Sequence, residues 1–223
     1  MRTIILASCV LALTVVHAGA QCLGDFDGDG RVTIDELITV VNNSLSNCQL
    51  SGPRFVDNGD GTVTDKKTGL MWEKKTAMVV GSFVDCSTTM CSDPHDVGNA
   101  YKWTASGTAP DGVLFTDFLA KLNNGASTDG TAITGCFAGH CDWRLPTVSE
   151  LQTIVDPIQG LCGGGSGRCI NPTFGPTQSG LYWSATTLAG NPSLAWLVDF
   201  NDGSLSVDGE TFRFYARAVR NAP

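Results

Sequence analysis

The stretch Asp142-Trp143-Arg144-Leu145-Pro146-Thr147 precedes a helical pattern and is the most informative part of the chain for its fold. Thr147 can cap the first turn of a helix, and Glu150, at the third helical position, can reach back to the Thr147 backbone, which makes a capping box. Leu151, Ile154 and Val155 follow at helical spacing and would face a core. The stretch therefore predicts a helix from Val148 to about Val155.

Strand signals are more frequent than helix signals on both sides of this helix. The runs Asn58-Gly59-Asp60-Gly61 and Asn201-Asp202-Gly203 lie between alternating β-formers and predict two hairpins. A second helix is predicted from about Val113 to Leu122, because its apolar residues share a face. Three strands are predicted near the end of the chain, around Tyr182–Ser184, Ala195–Phe200 and Phe212–Arg220. The pattern is typical of an α+β domain.

Three ordered motifs resemble those of the Lcl C-terminal domain family, which is found at the ends of bacterial collagen-like adhesins and in many exported bacterial proteins. The motifs are Phe55–Asp65 with Thr68–Trp72, then Asp142–Thr147 with Glu150-Leu151, and finally Tyr182–Ser184 with Phe200 and Tyr215–Arg220. The resemblance covers residues 55 to about 220. It implies a fold similar to C-type lectins and to formylglycine-generating enzymes, which share a comparable Arg-Leu-Pro-Thr helix start.

In the adhesins of this family the domain is associated with attachment to host glycosaminoglycans. This chain departs from them in two ways, because it has no collagen-like repeat and its net charge of −8 opposes a sulfated polymer. The Glu-Pro-Asn, Gln-Pro-Asp and Trp-Asn-Asp strings with which C-type lectins bind sugars through calcium are missing from the sequence. Glycan binding would therefore use another surface, such as the loops around residues 85–96 and 161–171. A fold transfers between relatives better than a ligand does.

The aromatic and basic motif residues are expected to be mostly structural. Large aromatic side chains dominate burial energetics, so four tryptophans are expected to be core or half-buried anchors rather than platforms for sugars: Trp72, Trp143, Trp183 and Trp196. Three arginines are expected to pair with carboxylates or loop carbonyls: Arg144, Arg217 and Arg220. The Lys66-Lys67 and Lys74-Lys75 pairs are expected to be solvated strand ends, and His95 and His140 to be surface histidines.

An EF-hand-like calcium loop occupies residues 25–36, Asp25-Phe26-Asp27-Gly28-Asp29-Gly30-Arg31-Val32-Thr33-Ile34-Asp35-Glu36. Side-chain oxygens at positions one, three, five and twelve and the carbonyl at position seven give the ligands Asp25, Asp27, Asp29, Arg31 and Glu36. Gly30, at position six, permits the sharp turn of the loop. Thr33 is expected to contribute through water. The alternative interpretation is an acidic turn that binds no metal.

An amphipathic helix is predicted to leave this loop, because Ile34, Leu37, Ile38, Val41 and Leu45 fall on one helical face. The segment resembles the calcium-binding half-repeats of dockerin-like and bacterial EF-hand domains, which usually occur in pairs. Only one such loop is present here. Asp57-Asn58-Gly59-Asp60-Gly61 is not a second one, since its third and fifth positions, Gly59 and Gly61, have no side-chain oxygen.

The first 20 residues, Met1–Ala20, have the pattern of a secretory signal, with Arg2, an apolar run from Ile4 to Val16 and small residues before the cleavage point. The run is too short to span a bilayer, and no second run follows, so we expect no membrane insertion after cleavage. A lipid anchor is the competing interpretation, since Leu6-Ala7-Ser8-Cys9 imitates a lipoprotein box. Cys9 lies inside the apolar run, however. An acidic segment, 21–50, and a larger domain, 53–223, are expected to follow the signal.

Eight of the nine cysteines remain after removal of this signal, an even number that predicts disulfides in an exported chain. Their spacing suggests four pairs: Cys22–Cys48, Cys86–Cys91, Cys136–Cys141 and Cys162–Cys169. Zinc is the alternative, although the chain has no Cys-x-x-Cys pair. The removal of Arg2 changes the net charge from −8 to −9, which makes nucleic acid an unexpected partner.

These observations predict an exported, calcium-binding, non-enzymatic protein that recognises an extracellular glycan or protein and is located in the periplasm, on the cell surface or in the medium. One alternative is a calcium-rigidified module that docks the domain onto another protein. The other is an enzyme related to the formylglycine-generating enzymes. Such an enzyme needs a cysteine pair late in the domain, whereas the last cysteine here is Cys169.

Overall fold

The computed structural model describes residues 53–76, 82–125, 135–157 and 168–223, together with 33–35, 37, 38, 41, 127 and 162. The chain divides into two compact units, Met1–Gly52 and Pro53–Pro223. In the first unit the Leu37 N–H donates to the Thr33 carbonyl at 3.0 Å, which is an α-helical bond in the predicted exit helix. The described residues of that helix carry exposed apolar side chains: Ile34, Leu37, Ile38 and Val41.

Two sheets form the second unit. The first is antiparallel and has the order β1-β2-β3-β10, from Phe55–Asp57, Thr62–Asp65, Leu70–Glu73 and Val219–Asn221. The second has the order β4-β5-β9-β6-β7-β8, from Val84–Asp85, Asn99–Lys102, Arg213–Tyr215, Leu181–Leu188, Asn191–Asp199 and Leu205–Gly209. In the second sheet β4 pairs with β5 and β6 with β9 in parallel, while the other pairs are antiparallel.

Short helical segments connect the strands. A π-helix, Leu114–Leu119, continues as the α-helix α1, Ala120–Leu122, and α2 spans Val148–Thr153. Two 3₁₀ turns cover Phe137–Gly139 and Pro172–Phe174. The architecture confirms the predicted α+β class.

The capping box predicted from the sequence begins α2. The Glu150 N–H donates to Thr147 Oγ1 at 3.2 Å, and the Thr147 N–H donates to Glu150 Oε2 at 2.8 Å. Leu151 and Ile154 are fully buried. The helix ends at Thr153, two residues before the predicted end.

The core consists of two apolar clusters on opposite faces of the six-stranded sheet. Trp183 and Leu197 belong to one cluster, which also buries the helical residues Leu114, Phe118 and Leu122. Tyr182 and Val198 belong to the other, which α2 and the four-stranded sheet complete with Leu151, Ile154, Val63 and Trp72. Adjacent strand residues thus point into different clusters, as the two-residue period of a strand requires.

Three disulfides staple loops of the second unit: Cys86–Cys91, Cys136–Cys141 and Cys162–Cys169. They confirm three of the four predicted pairs, and Cys22–Cys48 lies outside the described residues. Within the described ranges, the helices are all too short or too polar to cross a bilayer.

The end of the chain differs from the prediction of three strands, because the structure has five strands after Leu181. The run Phe212–Arg220 divides into β9, which pairs with β5, and β10, which pairs with β3. Between them the Ala218 carbonyl accepts from the Glu73 N–H at 3.0 Å. The chain changes sheets at this point, so one continuous β-like pattern in the sequence serves two separate strands.

Candidate functional site

A cavity of about 440 Å³ opens beside the first strand and combines apolar and polar walls. We call it the β1 pocket. It is lined by Pro53, Arg54, Phe55, Val155, Asp156, Pro157, Asn171 and Thr173. Ligand pockets typically have this size and a mixture of apolar surface with a few fixed polar groups.

The apolar floor of the β1 pocket is held by aromatic packing. The Phe55 ring, in β1, meets Phe174 edge-on with 4.8 Å between ring centroids. Phe174 ends a 3₁₀ turn whose start is capped by Asn171, since Asn171 Oδ1 accepts from the Thr173 N–H at 3.0 Å. The pocket wall is therefore fixed by the core and by a capped turn.

Arg54 lines this pocket and is held in one orientation. Its Nε and Nη2 donate to the two oxygens of buried Asp65 at 2.8 and 2.7 Å, and Nη2 also donates to the Thr153 carbonyl at 2.8 Å. Burial alone raises the pKa of Asp65, but the hydrogen bonds from Arg54 and Thr68 outweigh burial and hold that pKa below its ordinary value. The guanidinium also lies 4.4 Å from the centre of the Phe55 ring. The charge of Arg54 is therefore balanced by Asp65.

A second cavity, of about 260 Å³, lies between the β1–β2 hairpin and the end of β3, and is lined by Asp57, Gly59, Gly61, Lys74, Lys75 and Thr76. The Lys74 ammonium contacts the Asp57 carboxylate at 2.5 Å. Asp57 thereby balances the charge of the one lysine in this cavity that is accessible to solvent. Gly61 has a φ of +88°, and a Cβ there would lie 3.2 Å from the Phe137 ring, so the hairpin tip requires glycine.

A buried ionic cluster lies under this second cavity. The Glu73 carboxylate is fully buried, and its Oε1 contacts Lys75 Nζ at 2.8 Å and His95 Nδ1 at 2.9 Å. Burial alone raises the pKa of Glu73, but Lys75 and the hydrogen bond from His95 outweigh it and lower the pKa to about 2. Lys75 also donates to the Pro94 carbonyl at 2.9 Å and lies 4.4 Å from the centre of the Phe118 ring. Burial lowers the pKa of Lys75 despite the attraction of Glu73.

Two predictions made from the sequence are wrong here. Lys75 was expected to be a solvated strand end and His95 a surface histidine, but Lys75 is buried and the His95 side chain is only 17% exposed. The reason is Glu73, an acidic residue on a fully buried strand, which needs cationic partners when it is taken out of water. No local sequence pattern indicates that all four residues of β3 are buried.

Arg217 completes the cluster and is also fully buried. Its Nη1 donates to the Glu73 carbonyl at 2.7 Å and to the Phe174 carbonyl at 3.1 Å, while Nη2 donates to Thr177 Oγ1 at 3.1 Å. The guanidinium thus joins β3 to the turn Pro172–Phe174, whose Phe174 packs against Phe55 of the β1 pocket. Burial lowers the pKa of Arg217.

The remaining motif residues have the structural roles expected from the sequence. Trp72, Trp143 and Trp183 are buried, whereas Trp196 is half-buried. Arg144 forms a two-pronged pair with Glu150, at 2.8 and 2.7 Å, and Arg220 pairs with Asp142 at 2.7 Å. Apart from Phe55, which lines the β1 pocket, the family motifs therefore build the fold.

Only some of the predicted ligand-binding regions lie within the described residues. The predicted calcium ligands Asp25, Asp27, Asp29, Arg31 and Glu36 lie outside the described residues. The loop around residues 85–96 reaches the second cavity, where the Thr76 N–H donates to the His95 carbonyl at 2.9 Å. The loop around 161–171 supplies Asn171 to the β1 pocket. Elsewhere in the described chain, no three His, Cys, Asp or Glu side chains gather as metal ligands would.

Sequence reasoning missed most of the β1 pocket, including Arg54, Asp156 and Thr173. One local pattern did indicate a turn there. In Asn171-Pro172 an asparagine that can cap a helical turn precedes a proline that suits the first position of the turn. The pocket joins residues about 100 positions apart in the chain, such as Phe55 and Val155. Their proximity depends on tertiary packing, which a single sequence does not reveal.

Glu210 is a further buried acid, and it has no hydrogen-bond partner for either carboxylate oxygen among the described residues. Burial raises its pKa. Because the folded-state pKa lies above the unfolded value, ionisation of Glu210 costs stability as the pH rises above its ordinary range. Below that range the carboxyl is protonated in both the folded and the unfolded protein, and Glu210 does not lower the stability in this way.

We therefore expect Glu210→Gln to stabilise the protein by about 1 kcal/mol at pH 8 and by almost nothing at pH 4, since the amide carries no charge to desolvate. Urea unfolding of both proteins at the two pH values measures the difference. The account of Glu210 is wrong if the effect of the substitution is the same at both.

Comparison with known proteins agrees with the motifs. The model of the Lcl C-terminal domain family matches residues 61–220, which is most of the chain. No curated protein and no solved structure gives a significant match. Three disulfides in the described residues agree with the exported bacterial proteins in which this domain occurs. The chain belongs to the Lcl C-terminal domain family.

Proposed function

We propose that this protein is an exported recognition or adhesion protein that binds an extracellular ligand, most simply a glycan, in the β1 pocket. The observation that carries the proposal is the pocket itself, with its Phe55 floor, its oriented Arg54 and its Asn171 and Asp156 edge. A sugar ring presents apolar C–H faces and a rim of hydroxyls. Such a ligand matches an aromatic floor surrounded by hydrogen-bonding groups.

The balance of charge supports a neutral or weakly charged ligand over a sulfated polymer. Arg54 is paired with Asp65, which does not line the pocket itself, and Asp156 adds an acid to the pocket wall. The whole chain is acidic as well. A C-type-lectin-like arrangement is part of the proposal, and the pairing of β10 with β3, which brings the end of the domain back to its beginning, supports it.

Binding of the exported, oxidised protein to a glycan array that includes sulfated glycosaminoglycans tests the proposal. We expect selective binding to a small group of glycans, with sulfated polymers among the weaker signals. The array is read once with calcium and once with chelator, which separates a metal-dependent ligand site from a metal-independent one. A blank array in both conditions would favour the protein-docking alternative.

Calcium binding by the first unit is the second part of the proposal. Asp25, Asp27, Asp29, the Arg31 carbonyl and Glu36 supply the oxygen ligands that a hard divalent cation prefers. The α-helical bond from Leu37 to Thr33 supports it, since a helix that begins near position nine of the loop suits the bidentate role of a glutamate at position twelve.

Titration calorimetry checks this site. We expect calcium to bind one site per chain, and the double variant Asp25→Asn/Glu36→Gln to lose the heat of binding, because it removes two of the four carboxylates. The variant Asp202→Asn, which neutralises an exposed acid of the second unit, is the control and should titrate as the wild type does. No heat from the wild type at millimolar calcium would contradict the assignment.

We propose a non-catalytic role. Each of the six described cysteines is in a disulfide, so none of these six offers the free thiol that chemistry like that of the formylglycine-generating enzymes needs. The docking-module alternative shares the calcium site with the recognition hypothesis. A pulldown of an exported protein that depends on residues 25–45 would favour docking, whereas glycan binding would favour recognition.

A further inference from the structure

Strand β8, Leu205–Gly209, is the last strand of the six-stranded sheet, and no strand of the described residues neighbours its outer edge. Its register with β7 places Leu205 opposite Val198 and Val207 opposite Trp196. Along β8 the backbone groups alternate between facing β7 and facing outward. Two hydrogen bonds show which residues face β7: the Asp199 N–H donates to the Ser204 carbonyl, and the Glu210 N–H donates to the Ser193 carbonyl. The backbone groups of even-numbered residues therefore face β7, and those of Leu205 and Val207 face outward.

The outward groups of Leu205 and Val207 are two donors and two acceptors, and none of them has a partner among the described residues. Gly209 also faces outward, but it is already engaged. Its carbonyl accepts from the Phe212 N–H at 2.9 Å, and its N–H donates to Asp208 Oδ1 at 2.7 Å. The open part of the edge is thus confined to Leu205–Val207.

The side chains at this edge make it suitable for burial. Leu205 is 43% exposed, and Val207 and Trp196 are half-buried on the same face of the sheet. Natural proteins protect an open edge with a short strand, charged side chains, above all lysine, proline or a bulge. Strand β8 reads Leu-Ser-Val-Asp-Gly and contains no lysine, proline or bulge, and its one charged residue, Asp208, lies outside the open part Leu205–Val207.

We propose that β8 pairs with β8 of a second copy of this chain, antiparallel and around a two-fold axis at Ser206. In this register Leu205 lies opposite Val207 of the second copy, and Val207 opposite its Leu205. The four outward groups of each chain then form four hydrogen bonds between the copies. The apolar side chains meet on one face and Ser206 meets its own copy on the other, so the interface is isologous.

The positions of the charged residues favour this arrangement, and the alternative register is less favourable. Asp208 lies opposite Ser204 of the second copy, so the two acids of the edges do not face each other. A register centred on Val207 would pair Leu205 with Gly209, whose backbone groups are already hydrogen-bonded. The register at Ser206 uses the free groups and leaves no outward group of Leu205 or Val207 unpaired.

Hydrogen exchange over a range of protein concentrations tests the proposal on the exported, oxidised protein. We expect the Leu205 and Val207 amides to become protected as the concentration rises, in parallel with a dimer seen by sedimentation. The Ser206 and Asp208 amides should be protected at every concentration, because they donate to β7. A monomer at all concentrations, with Leu205 and Val207 exchanging freely throughout, would overturn the proposal.

A matched pair of variants separates this edge from general surface effects. Leu205→Lys places a charge at the paired edge and should weaken the dimer by about tenfold or more. Met90→Lys makes the same change at an exposed apolar residue of the Cys86–Cys91 loop and should leave the dimer as it is. Equal weakening by both variants, or a dimer whose Leu205 and Val207 amides stay unprotected, would show that the copies associate elsewhere.

Discussion

Glu73→Gln is expected to lower the free energy of unfolding of the second unit by about 3–5 kcal/mol, because it removes one partner of a buried ion pair and leaves cations behind. Glu73 is fully buried, and two buried cations, Lys75 and Arg217, contact its side chain and its backbone carbonyl. The amide keeps the shape of the side chain. The cost therefore measures the lost charge rather than a cavity.

The same pair gives a pH dependence with a definite sign. The folded-state pKa of Glu73, about 2, lies below the ordinary value of 4.5, so its stabilisation is present above pH 4.5 and is lost as the pH falls toward 2. Glu73→Gln should lack this part of the acid sensitivity. Urea unfolding at pH 7 and at pH 3 measures both effects.

Asp142→Asn is the matched control, since it also converts an acid to an amide within an ion pair. Asp142 pairs with Arg220 but its side chain is 60% exposed, and such pairs contribute about 1 kcal/mol or less. If Glu73→Gln lowers the free energy of unfolding no more than Asp142→Asn does, the buried ion pair contributes no more to stability than an exposed one, and the prediction is wrong.

Trp183→Ala should also destabilise the protein by about 3–5 kcal/mol, as truncation of a buried tryptophan usually does. Trp183 is fully buried, and its Nε1–H donates to the Tyr101 carbonyl at 2.7 Å. The ring also packs edge-on against Phe214, with 5.0 Å between centroids. The substitution would leave a cavity in the core and remove the hydrogen bond to the Tyr101 carbonyl.

Trp196→Ala is the comparison for this substitution, because Trp196 lies on the opposite face of the same sheet and is half-buried. Its cost should be clearly smaller. Unfolding curves for both variants and glycan binding at a temperature where both are folded give the two readouts. A stable Trp183→Ala protein that has lost glycan binding would mean that this tryptophan is a sugar platform and not a core residue.

Local patterns in the sequence predicted those features of the fold that depend on local interactions. The capping box at Thr147 and Glu150, the hairpin at residues 57–61 and three short-range disulfides each involve residues a few positions apart, so their spacing carries the information. The helical face of Leu114, Phe118 and Leu122 is confirmed for the same reason. The π-helical turn at Leu114–Leu119 was not predicted, since its apolar spacing resembles that of an α-helix.

Features that depend on distant parts of the chain were missed. Strand β8 was not among the three predicted strands, and the break between β9 and β10 follows from pairing with two different sheets. Lys75 resembled a surface residue because its partner Glu73 sits two positions away on a strand with no exposed face. The β1 pocket combines residues from three separate segments, so the sequence alone did not define it.

Glycan-array binding by a pocket-filling variant is the most direct test of the claim that the β1 pocket recognises a ligand. Thr173→Trp places a large ring in the pocket, and Thr108→Trp makes the same change at an exposed threonine outside the pocket. The account predicts that the wild type and Thr108→Trp bind the same glycans, and that Thr173→Trp is folded by circular dichroism but does not bind them. Unchanged binding by Thr173→Trp would contradict it.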